Sequence, residues 1–284
     1  IFAFAIYDHR DKSILLARDR CGIKPLFYQK TDDFFSFAST LGAIWSIRQK
    51  PEKLDYNALY DFLAFQTALS PRSFLVSVQQ LEPAHYLRFS IDDNHLEIKS
   101  YWDIPECSFK GSFDEAVQLS DHCIEESVKR QLVSEVPLGA FLSGGIDSSL
   151  MVHYMSKFSL GQLETFNVSF EGKELDETHH ALEVSRKYGT NHQVIEAPHL
   201  TADLFRDSID SLDQPLADPA YPMTWILSRE TSKSITVAIS GDGGDELFGG
   251  YDKFNDLASH HPDNWFKKAL RCLYRQNLMT GKLC

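Results

Sequence analysis

Two short stretches of this chain carry residue types that do chemistry on phosphates. The first is Ser143-Gly144-Gly145-Ile146-Asp147-Ser148-Ser149. A tight glycine turn that opens a helix gathers backbone N–H groups and the positive end of the helix dipole at one spot, which makes an anion site. Ser143, Ser148 and Ser149 add hydroxyl donors, and Asp147 can hold a Mg²⁺ that phosphates also ligate. The second stretch is Ser240-Gly241-Asp242-Gly243-Gly244-Asp245-Glu246-Leu247-Phe248-Gly249-Gly250-Tyr251. Its glycines let backbone approach a ligand closely. Asp242, Asp245 and Glu246 suit Mg²⁺ or the wall of an ATP site, and their spacing is not that of an EF-hand. The first loop is not a Walker A loop either, because no Lys lies between Arg130 and Lys157.

Each stretch needs a strand before it. Apolar runs at 136–142 and 235–239 supply those strands, and Leu150, Met151, Val152, Tyr154 and Met155 supply a helix face after the first loop. From residue 136 onward the pattern alternates. Strands at 136–142, 163–170, 191–196 and 235–240 are predicted between helices at 148–158, 176–188, 200–212 and 223–233. Such alternation predicts a parallel sheet with helices on both faces and right-handed crossovers. Ligands of such sheets bind beyond the carboxyl ends of the strands, where both loops fall.

Residues 1–100 read as β-rich, with strands at 2–7, 13–17, 26–29, 34–38 and 85–91 and a short helix at 56–65. The stretch 103–112 reads as a domain edge, followed by a helix from 113 to about 132. A basic amphipathic helix at 265–278 is expected to pack on its own domain. The strand at 2–7 is apolar on both faces and is expected inside a sheet. With Ile1 in place of Met, the chain reads as a piece that begins mid-domain.

The 284 residues suffice for two domains, and 43% apolar with 24% charged content fits a globular protein. Twenty-eight basic against 40 acidic residues leave a net charge of −12, which weighs against a nucleic-acid backbone as partner. Five cysteines (Cys21, Cys107, Cys123, Cys272 and Cys284) form no CxxC pair, so neither a disulfide framework nor a zinc site is expected. A reducing, cytoplasmic setting fits, and no apolar run is long enough for a membrane span.

SGGIDS resembles the pyrophosphate loop of enzymes that cleave ATP between its α and β phosphates. With SGDGGDELFGGY about a hundred residues later, the pair resembles the synthetase domain of glutamine-hydrolysing asparagine synthases. Leu175-Asp176-Glu177, Tyr188-Gly189-Thr190-Asn191-His192, Asp213-Gln214-Pro215 and Asp218-Pro219 resemble further segments of that family. Phe2 to Asp8 and Arg18 to Tyr28 resemble the later part of its glutaminase domain.

The resemblance implies an α/β architecture. A doubly wound parallel sheet of the adenine nucleotide alpha hydrolase (PP-loop ATP pyrophosphatase) type would occupy 101–284. Part of an N-terminal-nucleophile α/β/β/α sandwich would occupy 1–100. It implies that Ser143, Gly144, Gly145, Asp147 and Ser148 hold the pyrophosphate end of ATP. Leu142 and Val168 would border adenosine, Ser240 and Gly241 would touch the nucleotide, and Asp147 and Asp245 would carry Mg²⁺. Asp242 stands where well-known members have a catalytic Glu; it is one methylene shorter, a shift of about an ångström in a positioned carboxylate. The implied reaction activates aspartate as an acyl-adenylate, releases pyrophosphate, and forms asparagine with ammonia from glutamine. The implied partners are small molecules, with neither nucleic acid nor membrane, and a homodimer is left open.

Three departures bear on that expectation. None of the five cysteines takes the place of the family's glutaminase nucleophile, and Cys21 is expected in the core. Ala84 replaces a usual Gly. The acceptor pocket lies largely beyond the segments matched here. Alternatives are therefore the same chemistry on another carboxylate, such as a sugar acid or a β-lactam precursor, or a non-catalytic nucleotide-binding relative.

Overall fold

A computed structural model describes residues 1–47, 52–106, 109–159, 161–169, 176–199 and 201–251. The predicted helix at 265–278, Leu175, Cys107, Cys272 and Cys284 lie outside the described residues. The chain forms two compact units. One comprises residues 1–116 with 198–228; the other comprises 117–197 with the residues from 229 onward.

The first unit contains two antiparallel sheets. One has the order β1 (Ala3–Asp8), β2 (Ser13–Arg18), β6 (His85–Ser90), β7 (His95–Ser100). The other has the order β4 (Phe35–Ala38), β3 (Phe27–Lys30), β5 (Gln79–Gln80). Their facing sides bury Leu16, Tyr28, Leu81, Leu87 and Phe89 in one cluster, with Phe35 stacked 4.4 Å from Phe89. Phe27 points to the other side of its sheet, where it meets Leu41 and Ile44 of α1 (Leu41–Ile47). Sheet, sheet and helix thus lie in successive layers, as in the sandwich expected for this part. Helix α2 (Tyr56–Phe65) starts at Asp55, whose carboxylate accepts from the N–H groups of Asn57 and Ala58.

Two readings change here. Strand β1 is the edge of its sheet, not an interior strand: among the described residues it pairs only with β2, and Phe4 and Ile6 are exposed. Cys21 is exposed rather than core. Its loop is wound around two buried charges, which turns the thiol outward. The Asp19 carboxylate accepts from the N–H groups of Phe2, Cys21, Ile23 and Lys24. The Arg18 guanidinium donates to the carbonyls of Gly22, Lys24 and Leu81. Burial pushes the Asp19 carboxyl up, but its four N–H donors pull it further down, to below the usual range. Ala84 adopts φ +59°, a left-handed conformation in which glycine is the comfortable residue, so this Ala carries the strain a Gly would avoid.

The second unit is built on a four-stranded parallel sheet. Its strands are β8 (Leu138–Phe141), β9 (Glu164–Ser169), β10 (Asn191–Glu196) and β11 (Val237–Ile239), in the order β10-β9-β8-β11. Helix α4 (Ile146–Phe158) connects β8 to β9, and α5 (Thr178–Tyr188) connects β9 to β10. Helix α3 (Phe113–Gln131) enters the unit ahead of β8 and contributes Val128 to a core of Ala140, Leu142, Val152, Tyr154, Met155 and Ala181. Between β10 and β11 the chain returns to the first unit, where it forms α6 (Ala202–Asp210) and most of α7 (Tyr221–Thr231). The short helix α8 (Gly244–Phe248) follows β11. Four elements were not read from the sequence: α1, β5, β7 and α8.

Candidate nucleotide site

The strand order places the site. From β8 the chain winds one way through β9 to β10, then returns to lay β11 on the other side of β8. The direction of winding reverses between β8 and β11, and a crevice opens there beyond the strand ends. The loop after β8 is Leu142–Gly145 and the loop after β11 begins at Ser240, so both sequence-predicted loops flank this switch point.

The first loop is braced internally. Leu142 is fully buried, and its N–H donates to the Phe166 carbonyl at 2.8 Å. Its side chain belongs to the core, which leaves only its backbone free to face a ligand. Ser143 Oγ accepts from the Gly145 N–H at 3.2 Å and lies 3.0 Å from Ser148 Oγ. The Ser148 hydroxyl also reaches the Gly145 carbonyl at 3.2 Å, and the Ser149 N–H donates to the same carbonyl at 3.0 Å. Gly145 occupies the N-cap position of α4 with extended backbone (φ −65°, ψ 167°) and offers no capping side chain. The amides of the first turn of α4 are therefore left to a ligand, and the helix dipole favours an anion there.

Gly144 is held at φ +90° against α5. A Cβ at this position would fall 2.5 Å from the Ala181 nitrogen, 2.5 Å from His180 Cβ and 2.7 Å from the His180 carbonyl carbon. Only glycine fits.

The second loop closes on the first through its own glycines. A Cβ on Gly241 would meet Asp147 Cβ at 2.8 Å and the Ser148 nitrogen at 2.9 Å. A Cβ on Gly244 would meet Asp147 Cγ at 2.5 Å. Asp147 thus sits in a cradle formed by the acidic loop, against Gly244, the residue directly before Asp245. Asp245 is in turn covered by Gly250, whose Cβ would collide with the Asp245 carboxylate. Asp242 is exposed and its carboxylate accepts from Ser240 Oγ at 2.8 Å. Tyr251 donates to Glu246 at 2.7 Å; that bond, more than its burial, pushes the phenol up to about 12. Val168 lies near the carboxyl end of β9, beside β8.

The structure therefore brings Ser143, Gly144, Gly145, Asp147, Ser148, Gly241 and Gly244 together. Among the described residues no group of three or more His, Cys, Asp or Glu side chains is arranged to hold a metal by itself. Hard carboxylate oxygens from two touching loops fit Mg²⁺, which takes few protein ligands and shares phosphate oxygens. Also among the described residues, no helix is long and apolar enough to cross a membrane. Sequence reasoning gave no role to Gly244. Its signal was present as a glycine directly before Asp245, but the contact depends on β11 lying beside β8.

Residues 120–282 match the family described as asparagine synthase, and residues 1–102 match a glutamine amidotransferase domain. A putative glutamine-hydrolysing asparagine synthetase of Methanocaldococcus jannaschii is 34% identical over 260 residues, covering 88% of this chain and 49% of the relative. The glutamine-hydrolysing asparagine synthetase 1 of Bacillus subtilis is 34% identical over 264 residues, covering 92% of this chain and 41% of the relative. Another from Bacillus subtilis, numbered 3, is 31% identical over 289 residues, covering 95% of this chain and 46% of the relative. The chain thus spans just under half the length of these curated relatives.

Proposed function

Because the chain belongs to the asparagine synthase family, we propose that the paired loops bind Mg-ATP and activate the side-chain carboxylate of aspartate for amide formation. The observation that carries this reading is the seating of Gly241 and Gly244 on Asp147, which joins the phosphate loop to the acidic loop at the sheet's switch point. In the reaction, a carboxylate oxygen of aspartate attacks the α-phosphorus, and the bond to the bridging α–β oxygen breaks. The amides at Gly144, Gly145 and the first turn of α4, with Ser143 and Ser148, receive the departing pyrophosphate. Asp147 and Asp245 would hold Mg²⁺, whose chemistry there is to neutralise charge on the phosphates. Leu142, through its backbone, and Val168 border adenosine, and Ser240 and Gly241 touch the nucleotide from the second loop. Asp242, whose carboxylate accepts from Ser240, would act at the acyl centre. Ammonia then attacks the acyl carbon, AMP leaves with the transferred oxygen, and the product is asparagine.

Residues 1–100 belong in this reading to the half that supplies ammonia from glutamine, and 101–284 to the synthetase half. Aspartate, glutamine and ATP are its small-molecule partners, in the cytoplasm. The test is to incubate the full-length protein with Mg-ATP, ammonium and a panel of carboxylic acids, following AMP, pyrophosphate and amide by mass spectrometry. Asparagine in step with AMP supports the reading. AMP with another amide replaces aspartate as acceptor, and no AMP with any acid refutes the activity.

A further inference from the structure

A run of polar side chains crosses the buried part of the parallel sheet and reaches the phosphate loop from behind. The register of β9 and β10 sets His192 directly opposite Thr165. Thr165 is fully buried and Asn167 is 5% exposed. His192 uses both ring nitrogens: Nδ1 lies 2.9 Å from Thr165 Oγ1 and Nε2 lies 3.1 Å from Asn167 Oδ1. An amide oxygen only accepts, so Nε2 carries the proton, and Nδ1 of the neutral ring accepts from the Thr165 hydroxyl. Asn167 Nδ2 then donates to Thr178 Oγ1 at 2.8 Å. In the other direction Thr165 Oγ1, whose own proton goes to His192, accepts from the Thr190 hydroxyl at 2.8 Å, and Thr190 Oγ1 lies 2.9 Å from Ser185 Oγ. The chain of bonds begins in the last turn of α5 and ends on its first residue.

Such a network is not the cheapest filling for a sheet. Buried hydroxyls and amides cost free energy unless each is paired, whereas Val or Leu would fill the same space without that risk. What the network does, and apolar packing would not, is fix the height and rotation of the first turn of α5. A second tie works on the same turn: Ser169 Oγ donates to Asp176 Oδ2, and Asp176 Oδ1 accepts from the Thr178 N–H, both at 2.8 Å. Two and three residues after Thr178 come His180 and Ala181, whose atoms form the wall against Gly144. A displacement of that turn by a few tenths of an ångström leaves Gly144 without its stop.

We infer that His192 is a positioning residue for the nucleotide loop, acting through Asn167 and Thr178 on the first turn of α5 and through that turn on Gly144. The ligand in this inference rests on the ATP reading above; the mechanical link rests on the contacts alone. His192 touches no substrate, and its imidazole works as a spacer with a donor on one side and an acceptor on the other.

Three substitutions separate this role from general support of the fold. His192→Gln keeps an N–H donor near the Nε2 position. His192→Asn keeps a polar group only near Nδ1, and His192→Phe keeps neither. In the full-length protein, with ammonium as nitrogen donor, the Asn and Phe variants should raise the KM for Mg-ATP about five- to thirty-fold, the effect of losing one buried bond. The KM for aspartate should stay within about twofold, and Gln should recover most of the ATP effect. Thr178→Val breaks the far end of the link with little change of shape and should act in the same direction, so a variant that fails to fold at 192 does not decide the matter. Equal changes in the two KM values, no recovery by Gln, or an unaltered ATP KM in Thr178→Val would each overturn the inference.

If the unsubstituted protein releases no AMP, the ATP reading fails, and hydrogen exchange at residues 143–148 decides the mechanical link. Faster exchange in His192→Phe than in His192→Gln supports it; equal exchange overturns it.

Discussion

Gly144→Ala is the sharpest single perturbation of the site, because two separate penalties meet there. The backbone is held at φ +90°, where a side chain costs about 1–2 kcal/mol. The new methyl would also lie 2.5 Å from the Ala181 nitrogen and 2.7 Å from the His180 carbonyl carbon, which belong to a helix and cannot swing aside. Overpacking of this kind costs roughly 1–3 kcal/mol. The sum, about 2–5 kcal/mol, is a large part of the stability of an ordinary domain. It should lower the melting temperature by roughly 4–20 °C.

Two neighbouring substitutions divide the sum. Gly243 has φ +94° but no atom within 4 Å of an added Cβ, so Gly243→Ala carries the strain alone. Gly145 has φ −65°, and its Cβ would meet only Ser143 Oγ at 3.3 Å, so Gly145→Ala carries neither in full. Thermal unfolding of the three variants should rank Gly144→Ala as most destabilised, Gly243→Ala next and Gly145→Ala least. ATP affinity measured by calorimetry should fall in Gly144→Ala even at temperatures where it is folded. A Gly144→Ala protein with unaltered melting and unaltered ATP affinity would refute the close approach of the loop to α5.

Three further outcomes are expected. Asp147→Asn should keep the melting temperature within a degree or two while AMP formation drops roughly a hundredfold or more, since the charge that anchors the metal is gone; turnover within tenfold of the parent would contradict the assignment. Asp213→Ala removes the carboxylate that accepts from the N–H groups of Leu41 and Gly42 at the start of α1, and should cost about 1 kcal/mol in urea unfolding, with an unchanged midpoint contradicting the cap. Burial holds the His192 imidazole below its usual value, so the folded protein resists a proton that the unfolded chain takes up near pH 6.5. This contribution is intact above pH 6.5 and is lost as the pH falls from there toward the depressed folded value. A urea-midpoint series from pH 8 to pH 5 should show that loss in the parent and a shallower one in His192→Gln, and parallel curves would contradict it.

What could be read without coordinates follows from the range of the forces involved. Helix α2 was legible to the residue, because its apolar spacing and a local Asp55 cap fix it within the segment itself; strand β10 matches its predicted bounds although it is mostly polar and exposed. Helix α1 was not legible: it has seven residues, and although Thr40 holds the Ala43 N–H locally, its first two amides are held by Asp213, 172 positions from Leu41. Strand β7 was missed because its residues are largely exposed and polar, and it is held by backbone pairing to β6. Cys21 was misread because composition suggests burial for a cysteine, while the Arg18–Asp19 pair that shapes its loop hides in a charged motif. The two glycine loops were legible as chemistry. Their meeting on Asp147 was not, since it needs β11 to return beside β8. The His192 network was invisible for the same reason: Thr165 and Asn167 look like polar interruptions of a strand until the parallel register sets His192 opposite them.

The central claim is that a carboxylate of the acceptor attacks the α-phosphorus of ATP in this site. Aspartate labelled with ¹⁸O in its side-chain carboxylate, turned over with Mg-ATP and ammonium by the full-length protein, tests it in one mass spectrum. The account predicts AMP carrying one ¹⁸O and unlabelled pyrophosphate, because the attacking oxygen leaves with AMP when ammonia forms the amide. Label in inorganic phosphate together with ADP, or AMP without label, would contradict it.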